Sequence, residues 1–197
     1  MGKKLKATCL IIVAAAFAMM VISLIVDKTS SAAANQQLRE YMSSNMWMIV
    51  LPNVISLIFA LIYILKDGTK KAAFYYKGFL FFCLISQIVF ILSVFVGSYS
   101  VLASGKMQPL LIVFLLAWII EYSMLLLLAF ARDLGKKNSL ILALFAVIMN
   151  ICIIVLFFTL GFSLSILLRN ASKILIIVLL YLLVVVKYKD KDARGTK

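Results

Sequence analysis

Long apolar runs alternate with shorter polar segments along the entire chain. The apolar runs cover residues 7–26, 47–65, 79–104, 109–131, 139–162 and 163–186. They are continuous, whereas strands that are apolar on one face alternate with a period of two. A helix of about 20 residues extends roughly 30 Å, which matches the hydrocarbon core of a bilayer, and its backbone groups satisfy one another there. The pattern therefore predicts an all-α integral membrane protein with six transmembrane helices in one polytopic domain.

The composition excludes a soluble domain. Of the 197 residues, 65% are hydrophobic and 14% are charged, whereas soluble domains are roughly a quarter charged. A cleaved signal peptide is the alternative interpretation of the first run, because the small residues at 31–34 would suit a cleavage site. However, the apolar core of a signal peptide is only about 7 to 15 residues long. We therefore expect the first run to be an uncleaved span.

The basic residues predict the orientation. Fifteen lysines and arginines fall in residues 1–6, 66–77, 132–138 and 187–197, against three in the other polar segments between the runs. Cytoplasmic loops carry the excess of lysine and arginine, so both termini are predicted to be cytoplasmic, as an even number of spans requires. The net charge of +13 then reflects topology. No nucleic-acid partner is expected, because no basic face with interleaved aromatic residues lies outside the runs.

The lysine-rich, cysteine-poor composition favours a bacterial cytoplasmic membrane as the location. The triplet Asn170-Ala171-Ser172 matches a glycosylation acceptor, but it lies inside the last predicted span.

The sequence offers few residues suited to catalysis or to metal binding. The chain has no histidine, and Cys9, Cys83 and Cys152 lie far apart without a CxxC pair. Intramembrane aspartyl proteolysis needs two aspartates within spans, and no predicted span contains one. Serine and metal mechanisms lack the histidines on which they usually depend. We therefore predict a non-enzymatic protein without a metal or another cofactor.

Glu121 is the only carboxylate in any predicted span. A charge at the bilayer centre costs on the order of 3 kcal/mol on insertion scales, so it must face protein, water or a cation. Residues 173–186 alone would make a helix of only about 21 Å, too short to span. The last span must therefore carry Arg169 and Lys173 as well. Counted from the outer face, Glu121 and Lys173 both lie roughly 15 to 18 Å deep.

These depths predict a polar cluster of Glu121, Lys173, Asn150 and Arg169, with Gln87 and Asn53 bordering a cavity. Two cations and one carboxylate would suit a small anionic or zwitterionic solute. A purely structural alternative has equal weight, in which Glu121 and Lys173 neutralise each other and Asn150 hydrogen-bonds between helices. In a further alternative, Glu121 carries a proton.

Small residues at helical spacing predict seams where helices pack closely. Ala14 and Ala18 form such a seam on the first span, and Ser86, Ser93 and Gly97 form one on the third.

The layout resembles the substrate-binding membrane subunits of energy-coupling-factor vitamin transporters. The shared features are six spans in about 200 residues, cytoplasmic ends, a sizeable outer segment after span one, and the AxxxA pattern from Ala14 to Ala18. The resemblance concerns layout and not a sequence motif. It implies that span one docks a partner transmembrane subunit and that the outer segment gates a ligand.

Two functions follow from these patterns. The first is a solute-binding or transport-related membrane subunit with its polar cluster near mid-membrane. The alternative is an accessory, immunity or regulatory subunit that acts by packing its helices against a partner membrane protein.

Overall fold

The structure is a computed structural model that describes the backbone of residues 1–29, 46–66, 69, 71–103, 116, 119–127, 135–160 and 164–195, with side chains over most of these. The described residues form six helices and no strand, which confirms the prediction of an all-α protein. The helices are α1 (Lys3–Thr29), α2 (Met46–Leu65), α3 (Ala72–Ala103), α4 (119–127), α5 (Gly135–Leu160) and α6 (Leu164–Gly195).

Four of these helices are long and apolar enough to cross a membrane. The crossing segments are Lys3–Val26, Ala72–Val89, Lys137–Val155 and Leu167–Val184, and α2 adds a shorter apolar segment, Val50–Leu65. Large apolar side chains are exposed along them, among them Ile11, Leu51, Phe81 and Phe145. In water such a surface would be unfavourable, whereas in lipid it is the expected exterior. These are the features of a membrane-embedded protein.

The packing joins the two ends of the chain. Helix α1 packs on α6 and on α2, while α2 packs on α3 and α5 packs on α6. Helix α1 buries Cys9, Val13, Ala16 and Met20 at spacings of four, three and four residues, which is one helical face. The Ser172 hydroxyl of α6 donates a hydrogen bond to the Ala16 carbonyl over 3.0 Å. The small Ala16 side chain thus allows α6 to approach the α1 backbone.

Helices α2 and α3 form a hairpin held by aromatic rings. The Phe59 ring lies directly on Gly78, where a β-carbon would collide with it. Its centroid is 5.5 Å from that of Phe82 in a stacked arrangement, and it also contacts Phe74 and Tyr75. Gly78 is therefore a position of close approach between the two helices.

The connection of this hairpin lies beside the start of α1. The Thr69 hydroxyl donates to the Lys66 carbonyl over 2.8 Å, and the Ala72 N–H donates to the Thr69 carbonyl over 3.0 Å, which leads the chain into α3. The Lys6 ammonium donates to the Leu65 carbonyl over 3.5 Å. The N-terminal end of α1 and the C-terminal end of α2 therefore lie at the same end of the molecule.

Candidate functional site

Polar side chains are buried between α2 and α3. Asn53 follows Pro52 within α2, and its side-chain oxygen accepts a hydrogen bond of 2.6 Å from the Ser86 hydroxyl of α3. The Asn53 carbonyl also accepts a 2.8 Å bond from Ser56. Both Asn53 and Ser86 are buried. Because a polar group in an apolar interior is costly without a partner, this pair fixes α2 against α3.

Lys173 of α6 reaches the next polar position of α3. It is buried, and its ammonium donates to the side-chain carbonyl of Gln87 over 3.3 Å. Arg169 lies one turn earlier on α6, partly buried, and its guanidinium donates to the Ser165 hydroxyl over 3.1 Å. The bond from Arg169 to Ser165 thus stays within α6, while the bond from Lys173 to Gln87 crosses to α3.

Glu121 on α4 is fully buried. Neither of its carboxylate oxygens accepts a hydrogen bond from the part of the chain that the structure describes. Leu125, one turn further along α4, packs in the apolar core. The Glu121 carboxylate and the Lys173 ammonium both lie within electrostatic range of the Cys83 thiol, which is also buried. The Glu121 and Lys173 side chains therefore both belong to the surroundings of Cys83 on α3.

Asn150 of α5 is fully buried and bonds to its own helix. Its side-chain N–H donates to the Ala146 carbonyl over 3.0 Å. Within the described residues, its side-chain oxygen accepts no hydrogen bond, and no hydrogen bond connects it to Glu121 or Lys173. Asn150 is thus a buried polar position whose link to the other polar residues stays a prediction.

The polar residues lie well inside the bundle. Asn53 is twelve residues from the end of α2 at Leu65, and Gln87 is fifteen from the start of α3 at Ala72. At 1.5 Å per residue these positions are about 18 and 22 Å from the connection between the two helices. A hydrocarbon core of roughly 30 Å would place them in its interior.

The sequence did not indicate that the buried Cys83 thiol lies within electrostatic range of both Glu121 and Lys173. The available signal was the spacing of four residues from Cys83 to Gln87, which puts both on one face of α3. Ser172 was missed as well, although its hydroxyl joins α6 to α1.

The small residues are distributed unevenly between the interior and the surface. Ser86 is buried in its bond to Asn53, whereas Ala14 and Ala18 lie on the exposed side of α1. The side chains of Ser93 and Gly97 lie outside the described residues. A packing role for Ala14 and Ala18 stays a prediction and would concern a surface outside this bundle.

In chemical terms the site offers one carboxylate, one ammonium and neutral amide and hydroxyl groups. Over the described residues, no group of three or more His, Cys, Asp and Glu side chains could hold a metal ion. Carboxylate and ammonium groups together complement a ligand with charges of both signs.

The chain matches no protein-family model, no curated protein and no solved structure. The similarity in layout to energy-coupling-factor subunits therefore stays a prediction. The function of the site is inferred from its residues alone.

Proposed function

We propose that the protein is a non-enzymatic, solute-binding or transport-related membrane subunit. Its ligand is a small solute held between Glu121 and Lys173 in the membrane interior. The observation that carries this proposal is the full burial of Glu121 without a described hydrogen-bond donor. An ionised carboxylate in that state is costly, and a cationic ligand group removes the cost.

The described bonds favour a ligand site over a purely structural ion pair. A structural pair would place the Lys173 ammonium on a Glu121 oxygen, whereas neither Glu121 oxygen accepts a hydrogen bond from the described residues. In the proposed site the same ammonium pairs with an anionic group of the ligand. Gln87 orients this ammonium in the bundle.

Between the two ligand classes that suit such a site, the charges favour the zwitterion. A ligand ammonium would pair with Glu121, and a ligand carboxylate would pair with Lys173. A purely anionic solute would leave the buried carboxylate without a cation and would be repelled by it. The ligand we propose is therefore small and zwitterionic, like a free amino acid.

The proposal includes six spans with both termini in the cytoplasm of a bacterial cell. In support, the Lys6–Leu65 hydrogen bond brings the N-terminal lysines beside those of the α2–α3 connection. Both groups belong to the basic segments that favour the cytoplasmic side.

A second candidate function is that of an accessory, immunity or regulatory subunit. It is favoured by the exposure of Ala14 and Ala18, which are one turn apart on α1 and would let a partner helix approach closely. Obligate copurification with one membrane partner, without binding of a solute, would favour this function.

The test of solute binding uses purified protein in lipid nanodiscs and a panel of labelled amino acids, with succinate as the anionic comparison. Because a hydrogen bond to a charged group contributes about 1.5 to 3 kcal/mol, Glu121→Gln and Lys173→Met should each weaken amino-acid binding roughly 10- to 150-fold. Lys137→Gln, at an exposed position of α5, is the charge control and should leave binding unchanged. Binding that is unaffected by Glu121→Gln and Lys173→Met, with the helical content intact, would discard the proposed site.

A further inference from the structure

One exposed face of α3 combines lysines with aromatic side chains. Lys71 immediately precedes the helix, and Phe74, Lys77 and Phe81 follow at spacings of three, three and four residues. All four side chains are exposed. Because residues three and four apart share one side of a helix, they form a continuous strip, which we name the α3 strip.

The N-terminal end of the α3 strip carries positive charge. The Phe74 N–H donates to the Lys71 carbonyl over 3.1 Å, which fixes Lys71 to the start of the helix. The Lys66 ammonium lies 5.6 Å from the centre of the Tyr75 ring, in the adjacent turn. The sequence from 66 to 77 has four lysines and one carboxylate, Asp67. This end of α3 therefore attracts anions.

The two aromatic side chains of the strip, Phe74 and Phe81, are exposed and held in place by neighbouring rings. The Phe74 side chain is 66% exposed, and its ring centroid lies 6.2 Å from that of Phe59. The Phe81 side chain is 58% exposed, and its ring centroid lies 5.4 Å from that of Phe82. Rings that are fixed by neighbours on one side and bare on the other lose little entropy when they bind a partner. One exposed ring lies between the two lysines and the other lies one turn beyond Lys77. Such rings suit an acyl chain, which a free phosphate ion does not have.

The spacing suits a lipid headgroup. Lys71 and Lys77 are six residues apart, about 9 Å along the helix axis. The long side chain of Lys77 can lie along the apolar helix surface with its ammonium directed to the interface. Both ammonium groups then reach the level of one phosphate.

We propose that the α3 strip binds an anionic phospholipid. Its phosphate lies on Lys71 and Lys77, and the part of an acyl chain nearest the headgroup lies on Phe74 and Phe81. This site is separate from Glu121 and Lys173, so it stands or falls independently of solute binding.

Native mass spectrometry of the detergent-purified full chain, titrated with phosphatidylglycerol, tests the proposal. Lys71→Gln combined with Lys77→Gln should weaken phosphatidylglycerol binding by roughly ten- to thirtyfold, since each surface lysine contributes about 1 kcal/mol. Replacing both lysines by arginine should preserve binding. The matched control is Lys3→Gln combined with Lys4→Gln, which removes the same charge from exposed positions of α1 and should change affinity less than threefold.

Two further arms distinguish a lipid from other anions. Phosphatidylcholine with the same acyl chains should bind at least tenfold more weakly than phosphatidylglycerol, and millimolar inorganic phosphate should not displace the bound lipid. The proposal is overturned if both glutamine pairs reduce binding equally, if neither does, or if phosphate alone displaces the lipid.

Discussion

Gly78 and Phe59 form a close contact between an aromatic ring and the α3 backbone. A β-carbon at Gly78 would collide with the Phe59 ring. The ring is also enclosed by Phe74, Tyr75 and Phe82, so it has little room to move aside. A glycine within a helix normally costs about 1 kcal/mol relative to alanine. Here that cost is offset by the packing of the ring.

We expect Gly78→Ala to lower the free energy of unfolding by about 1 to 2 kcal/mol, because the penalty for overpacking exceeds the gain in helix propensity. Equilibrium unfolding in mixed detergent micelles measures the change. Gly2→Ala is the control, since no atom lies within 4 Å of a β-carbon there.

A second background isolates the cause. In protein that already carries Phe59→Ala, the Gly78→Ala substitution should be neutral or slightly stabilising, because the ring is gone. An equal loss of stability in both backgrounds would show that the ring is not the reason for the glycine.

The polar residues show what spacing along a sequence can and cannot predict. Counting residues from the ends of spans predicted similar depths for Glu121 and Lys173, and both side chains are buried within electrostatic range of the Cys83 thiol. The rise per residue fixes the depth but not the direction in which a side chain points. The bond from Lys173 to Gln87 depends on that direction. Depth alone could not identify it.

At the scale of the helices, the apolar pattern predicted the cores better than the ends. Helix α2 begins one residue before the predicted span and ends at the same residue, Leu65. Helix α3 begins at Ala72, seven residues before the predicted span, and α6 continues to Gly195. Lysine was taken to end a span, but lysine is a good helix former, so a helix continues beyond the hydrocarbon.

The pattern also could not distinguish the faces of α1. The AxxxA spacing directed attention to Ala14 and Ala18, whereas the buried face contains Ala16. In a helix that is apolar all around, no periodicity separates the side that meets protein from the side that meets lipid. The positions of α6 and α2 make that distinction.

The difference between Ala16 and Ala18 can be tested by enlarging each side chain. Ala16→Leu should destabilise the protein by about 1 to 3 kcal/mol, because the larger side chain separates α1 from α6 and breaks the bond from Ser172. Ala18→Leu, the control, should change stability by less than about 0.5 kcal/mol, since its side chain is exposed. Thermal unfolding in detergent measures both. Equal effects would contradict the assignment of the buried face.

At the scale of the whole molecule, composition was sufficient for the fold class, and the packing order was not predicted. Apolar content identified a helical membrane protein, which agrees with four helices of spanning length. The pairing of α1 with α6 brings together parts of the chain that are far apart in sequence. Nothing in the local pattern of either helix specifies its neighbour, because both are apolar over most of their surface.

The proposed topology can be tested by labelling single cysteines in a background without Cys9, Cys83 and Cys152. A cysteine at Gly2 or Thr196 should react with a membrane-impermeant maleimide only after the cells are opened, as expected for cytoplasmic ends. A cysteine at Ser30, in the first predicted outer segment, is the positive control and should react in intact cells. Labelling of Thr196→Cys but not of Gly2→Cys in intact cells would indicate an odd number of spans.

The hydrogen bond between Ser172 and Ala16 joins residues 156 positions apart, which has a consequence for biosynthesis. At a ribosomal rate of about 5 to 20 residues per second, the first helix waits roughly 8 to 30 s for the last helix to emerge. During that interval the part of α1 around Ala16 lacks its contact with α6 and is open to insertion factors or to unrelated nascent helices. Variants that slow translation between these helices should therefore reduce the yield of correctly assembled protein without altering its final stability.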